Sequence, residues 1–159
     1  DAQAAIDLIK GIFPKIPKWQ SYIRDLAHRQ GFLLSRYGGI RWFWSVKRWD
    51  AKQGREVAGD DAEAALAYPV QNNAFGKKRE SMLDLAAGGL DEKYRMNNDI
   101  HDAAYFDCPN QYLDEAIHNI KQVMEAPARK LVNATFPNGL VISVDVKIGP
   151  SLGELKKVN

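Results

Sequence analysis

Residues 95–107 read RMNNDIHDAAYFD, and the parsing of this stretch decides the fold. MNNDI (96–100) and AAYFD (103–107) are short strand-like runs, and His101-Asp102 lies between them. Two such runs joined by two residues predict a tight antiparallel hairpin. A tight turn directs its side chains outward, beyond the sheet. A carboxylate in that position suits a hard divalent cation, which prefers oxygen ligands. An adjacent imidazole can donate to a phosphate or a sugar. Aspartate is also common at turns for local hydrogen bonding, so the dipeptide by itself leaves both roles open.

Downstream, Asn110 predicts a cap for a helix over 111–126, with Leu113, Ala116, Ile117, Ile120, Val123 and Met124 facing the core. Pro127 stops it. LVISVDVKI (140–148) alternates as a final strand. Upstream, Asp60 or Asp61 caps a helix that begins near Ala62. Pro69 should kink or break that helix, with a second helix from about Asn72 to Ala87, ended by Gly88-Gly89. KRWDAKQGREVAGD (47–60) reads as an exposed polar loop. FLLS (32–35) and IRWFWSV (40–46) flank RYGG and predict a hairpin. Before them, Ala5, Ile6, Ile9, Ile12 and Phe13 form one helical stripe. Pro14 ends that helix, and a second helix starting around Pro17 carries Trp19, Ile23 and Leu26 and closes at Gly31. The predicted class is α+β: an antiparallel helix pair and further helices packed on a small antiparallel sheet, in one domain.

The 159 residues, 45% of them hydrophobic and 26% charged, suffice for one domain with a core. No run approaches the roughly 18 apolar residues that span a bilayer, and no secretory leader opens the chain. A cytoplasmic setting, in a bacterium or a phage-infected host, and no membrane partner are expected. Cys108 is the single cysteine, which excludes a disulfide framework and a cysteine-based zinc cluster. The first residue is Asp1 rather than Met, so a processed, cut or incomplete polypeptide is expected.

Charge is uneven. Residues 1–80 carry 14 Lys and Arg against 9 Asp and Glu, while residues 81–159 carry 8 against 11. A basic half beside an acidic half is compatible with a polyanion surface next to a carboxylate site, and equally with an uneven solvated surface. Arg36, Tyr37, Arg41, Trp42, Trp44, Lys47, Arg48 and Trp49 interleave cations with aromatics. Such a run can track a phosphate backbone and stack bases. Alternatively, its indoles fill a core beneath solvated cations. Lys77-Lys78-Arg79 is a further candidate for phosphate contact. Gln71, Asn72 and Asn73 follow the proline break and carry groups suited to minor-groove base edges, though helix capping accounts for them too.

Taken in order, these blocks resemble the C-terminal part of the family A DNA polymerases. FPKIPKWQ (13–20) with AHRQGFLLSRYGGIR (27–41), ALAYPVQNNAFG (65–76), DIHDAAYFDCP (99–109) and GLVISVDVKIGPSLGELK (139–156) match four family segments in sequence order. The third is similar to the family's QVHDELVFEVP motif. The resemblance covers nearly the whole chain and implies late fingers and much of a palm, with a palm-type sheet. Residues 1–60 would be the helix pair and basic hairpin, and residues 61–159 the palm portion of a single C-terminal fragment.

The same resemblance implies template-directed nucleotidyl transfer with two Mg2+ ions, on primer-template DNA and a dNTP. Asp102 takes the position of the second metal-binding aspartate. His101 takes that of the histidine that steadies the primer terminus, and Gln71 that of the glutamine on the primer-template minor groove. Arg36 and Arg41 are candidate DNA contacts. The family's usual glutamate after His-Asp is Ala103 here. The first metal-binding motif and the fingers helix that grips dNTP phosphates have no counterpart in the chain. It is therefore expected to be inactive without an N-terminal polymerase polypeptide that docks across a large apolar seam. The competing expectation is a non-catalytic DNA-binding module derived from a polymerase.

Overall fold

In a computed structural model, residues 2–158 are described. The α+β class holds, with five α-helices and four two-stranded antiparallel sheets among the described residues. The chain divides into two compact units, Asp1–Asn73 and Ala74–Asn159.

In the first unit, α1 (Ala2–Ile12) and α2 (Lys15–Gln30) are separated at Phe13-Pro14, and Gly31 closes α2 in the left-handed region (φ 73°). The predicted stripe of α1 forms a helix but meets no core: Ile6, Ile9, Ile12 and Phe13 are all exposed. β1 (Phe32–Leu34) pairs with β2 (Ile40–Trp42) as the hairpin reading expected. The core of this unit joins Ile23 and Ala27 of α2, Leu33, Phe43, Val46, and Ala65, Leu66 and Tyr68 of the next long helix. Phe43 meets Tyr68 edge-on, with ring centroids 6.1 Å apart.

Residues 47–60 are not a loop. β3 (Lys47–Asp50) pairs with β4 (Arg55–Ala58). The Asp50 carboxylate accepts the N–H groups of Lys52 and Gln53, closing the turn, and Gly54 supplies φ 61°. A hairpin that is polar on both faces carries no alternation of hydrophobicity, which is why composition alone suggested a loop.

α3 runs unbroken over Ala62–Ala87 with Pro69 inside it, and the boundary between the two units falls within this helix. The expected break is absent. Proline removes one backbone bond, but Ala65, Leu66 and Tyr68 in the turn before it are buried, and their packing holds that part of the helix in place.

In the second unit, α4 (Leu90–Lys93) leads into β5 (Met96–Ile100) and β6 (Ala103–Phe106), the hairpin predicted from 95–107. A 3-10 turn at Asn110–Tyr112 precedes α5 (Leu113–Met124). Leu85, Tyr94, Ala116 and Ala128 are buried, and Asn119 donates to the Tyr94 hydroxyl at 2.8 Å. The predicted strand over 140–148 is mostly not a strand. Leu140 makes a single bridge to Ala128, and only β7 (Val146–Ile148) forms a ladder, with β8 (Lys156–Val158). Alternation supplies a face but not a partner: Val144 donates its N–H to the Glu125 carboxylate instead.

Candidate functional site

The β5–β6 register pairs Ile100 with Ala103, leaving His101 and Asp102 as the whole loop. His101 has φ 51°, a left-handed conformation that costs about 1 kcal/mol or more for a residue with a Cβ. Such an outlier persists only where its surroundings hold it. Here Lys78 of α3 supplies the hold. Its ammonium donates to the His101 carbonyl oxygen and forms an ion pair with the Asp99 carboxylate. The Lys78 side chain is only 10% exposed, so the pair is poorly screened.

Asp102 is exposed and makes no hydrogen bond or ion pair with another described residue. Its oxygens fit one position in the shell of a hard cation. Asp99, the nearest acid in sequence, is engaged by Lys78, and Ala103 carries no ligand. Among the described residues no group of three His, Cys, Asp or Glu side chains is placed to hold a metal ion. The described residues therefore offer a cation the Asp102 carboxylate alone, and by themselves they do not build a metal site.

Gln71 is exposed on α3 and unengaged, as minor-groove contact requires. Its neighbours are committed to structure. Asn73 accepts the N–H of Arg36 at 3.0 Å, and Asn72 lies so close to Gly39 that a Cβ there would meet its Oδ1 at 2.7 Å. The two asparagines thus brace the β1–β2 turn. Arg36 and Arg41 are exposed. The Arg41 guanidinium carbon stands 5.4 Å from the centre of the Phe43 ring. Arg36, Arg41 and Gln71 belong to the first unit, and His101 and Asp102 to the second.

Lys77-Lys78-Arg79 does not form a phosphate-binding run. Lys77 is buried, and its ammonium donates to Ser81 Oγ at 2.7 Å. Burial pushes its pKa down, with Glu80 and Asp84 opposing. Lys78 is committed to the His-Asp turn, which leaves Arg79 exposed. Cys108 is half-buried, and burial pushes its thiol pKa up, contrary to what a nucleophile needs.

Asp61, read from the sequence only as a candidate helix cap, has a further role. α3 does begin beside it, but its carboxylate accepts the N–H groups of Trp44 at 2.7 Å and Ser45 at 2.9 Å. These bonds, Ser45 first, hold its pKa below the ordinary carboxylate value. Gly59 makes the approach possible: a Cβ there would stand 2.2 Å from the Ser45 carbonyl oxygen. The outcome is that Trp42, Trp44 and Trp49 stand in solvent, and the core-filling alternative for these indoles does not hold.

No protein-family model matches the chain. The chain is similar to the thermostable DNA polymerase I of Thermus aquaticus, 25% identical over 149 residues. The alignment covers 94% of this chain and 16% of that polymerase. The chain thus spans about a sixth of the length of that curated relative. This similarity supports a relationship to the family A polymerases.

Proposed function

We propose that this chain is the C-terminal piece of a DNA-directed DNA polymerase. It would supply one metal-binding carboxylate and primer-template contacts, and be inactive without an N-terminal polymerase polypeptide. The observation that carries this reading is the His101-Asp102 turn: exposed, left-handed at His101, and pinned from α3 by Lys78. The similarity to a DNA polymerase I supports it, as does the order of the four sequence blocks.

In this reading Asp102 holds Mg2+ through its free carboxylate, and the rest of the coordination comes from polypeptide outside this sequence. Mg2+, when bound, supplies Lewis-acid stabilisation of the charge that develops on the transferring phosphoryl group. His101 steadies the primer terminus through its ring N–H. Gln71 donates to minor-groove acceptors of the last base pair, which occupy similar positions in every pair, so it senses pairing geometry without reading sequence. Arg36 and Arg41 contact phosphates of the primer-template. An incoming dNTP is the second substrate.

A second reading, a non-catalytic DNA-binding module of polymerase descent, is favoured by Ala103 after His-Asp and by the capture of Asp99 by Lys78. Primer extension with Mg2+ separates the two. The chain alone gives no product, and the chain mixed with the N-terminal polypeptide extends the primer. Asp102→Ala in that mixture lowers turnover by about a thousandfold or more while DNA affinity stays within about twofold. Extension by the chain alone would refute incompleteness. DNA binding without extension in any mixture, with no effect of Asp102→Ala, would leave the binding module.

A further inference from the structure

The first unit leaves a run of aromatic rings in water. The register places Phe32 opposite Trp42, with ring centroids 5.2 Å apart. Trp42 in turn lies nearly parallel to Trp44, at 6.4 Å and 16°. Trp42 is 58% exposed and Trp44 88%, while Phe43 between them turns into the core. Two adjacent indoles in solvent forgo the burial that normally draws tryptophan inward, and an exposed patch of this kind marks a surface with a partner.

The platform is held in place. The Trp44 and Ser45 N–H groups both end on Asp61, the Asp61 N–H donates back to the Ser45 carbonyl at 2.8 Å, and Gly59 donates to Val46 at 2.9 Å. The backbone beneath Trp44 is thus tied at several points although no strand pairs with it. Charge indicates what covers the rings. Residues 32–49 contain Arg36, Arg41, Lys47 and Arg48 and no Asp or Glu. Lys47 is spent on Asp25 at 2.6 Å. Arg36, Arg41 and Arg48 are exposed; the field of Arg41 reaches Asp61 and that of Arg48 reaches Asp50, but neither forms a close ion pair.

We propose that Phe32, Trp42 and Trp44 form a stacking platform for the unpaired bases of single-stranded nucleic acid, with Arg36, Arg41 and Arg48 on its phosphates. Flat π faces with exposed cations nearby are what sequence-tolerant single-strand binding uses. A duplex keeps its base faces stacked inside and cannot use the indoles. The inference shares Arg36 and Arg41 with the polymerase reading but adds the aromatic platform, and it does not depend on Asp102 or on a metal.

The test uses the full chain and a fluorescein-labelled oligo(dT) of about 12 nucleotides, within the usual site size of roughly 4–16. Binding is followed by anisotropy without added Mg2+. An abasic strand of the same length and a duplex serve as competitors. Oligo(dT) is expected to bind about 5- to 100-fold more tightly than the abasic strand, the range set by stacking one base on an aromatic ring. Trp44→Ala is expected to remove most of that margin, with circular dichroism unchanged because the ring lies outside the core. Trp44→Phe retains most of it. Arg41→Gln weakens oligo(dT) and abasic strand alike and flattens the salt dependence. Equal affinity for oligo(dT) and abasic strand overturns the proposal, as does a Trp44→Ala that keeps the full margin between them. Self-association of the chain that disappears in Trp44→Ala would give the strip to a second copy and overturn it too.

Discussion

Asp61 does its work away from the helix it precedes. Two successive amides converge on one of its oxygens, and both are donated by residues 16 and 17 positions upstream. Because the folded state depresses its pKa, the stabilisation it provides is complete above the unfolded value, near pH 4. It is lost as pH falls through the lower folded value. Acidification below about pH 4 is therefore expected to loosen the Trp44 segment, seen as reduced hydrogen-exchange protection of the Trp44 and Ser45 amides. Asp61→Asn, which cannot titrate, should be looser at neutral pH and lack that acid transition. A transition of equal size in the variant would assign it to another carboxylate. The start of α3 was legible at Asp60-Asp61 because capping is local. The latch was not, since its target amides become neighbours only once the first unit has folded. The His-Asp turn was legible from its flanking strands. Its retaining ammonium on Lys78 was not, because a helix position 23 residues away gives no local signal.

At the scale of elements, α3 shows packing overriding intrinsic preference. Pro69 denies the Ala65 carbonyl its helical donor, a defect that costs a helix interior about 3 kcal/mol. Restoring the donor should stabilise the chain. Pro69→Ala is expected to raise the unfolding free energy by about 1–3 kcal/mol, read as a higher urea midpoint at unchanged slope. A lower midpoint would mean that the proline ring itself fills a packing position. The remaining elements divide along the same line. α2, α5 and the hairpins at 32–42 and 96–106 carry periodic or turn signals and were readable. β3 and β4 were hidden by polarity on both faces, and the end of the chain misled in the opposite direction. LVISVDVKI alternates well, yet a ladder needs a second strand, and only Lys156–Val158 provides one, for three residues.

At the scale of the whole molecule, what stands out is apolar surface that the described fold does not use. Ile6, Leu8, Ile9 and Ile12 of α1 and Phe13 just after it are exposed, and so are Val141, Ile142 and Leu152 near the other end. Monomeric proteins rarely leave stripes of this kind uncovered. The isolated chain is expected to enhance the fluorescence of anilinonaphthalene sulfonate under native conditions. Addition of the N-terminal polymerase polypeptide should reverse that enhancement. A chain that leaves the dye unchanged would mean that these side chains are covered in solution and would weaken the seam reading. No helix among the described residues is long and apolar enough to cross a membrane.

One ammonium group therefore has a reach beyond its own charge. Lys78 is rooted in a long helix, and it grips both a strand and the carbonyl at the tip of that strand. The hairpin tip is thereby moored to the helix at a single charge, so neutralising Lys78 would free at once the strand and the turn that carries Asp102.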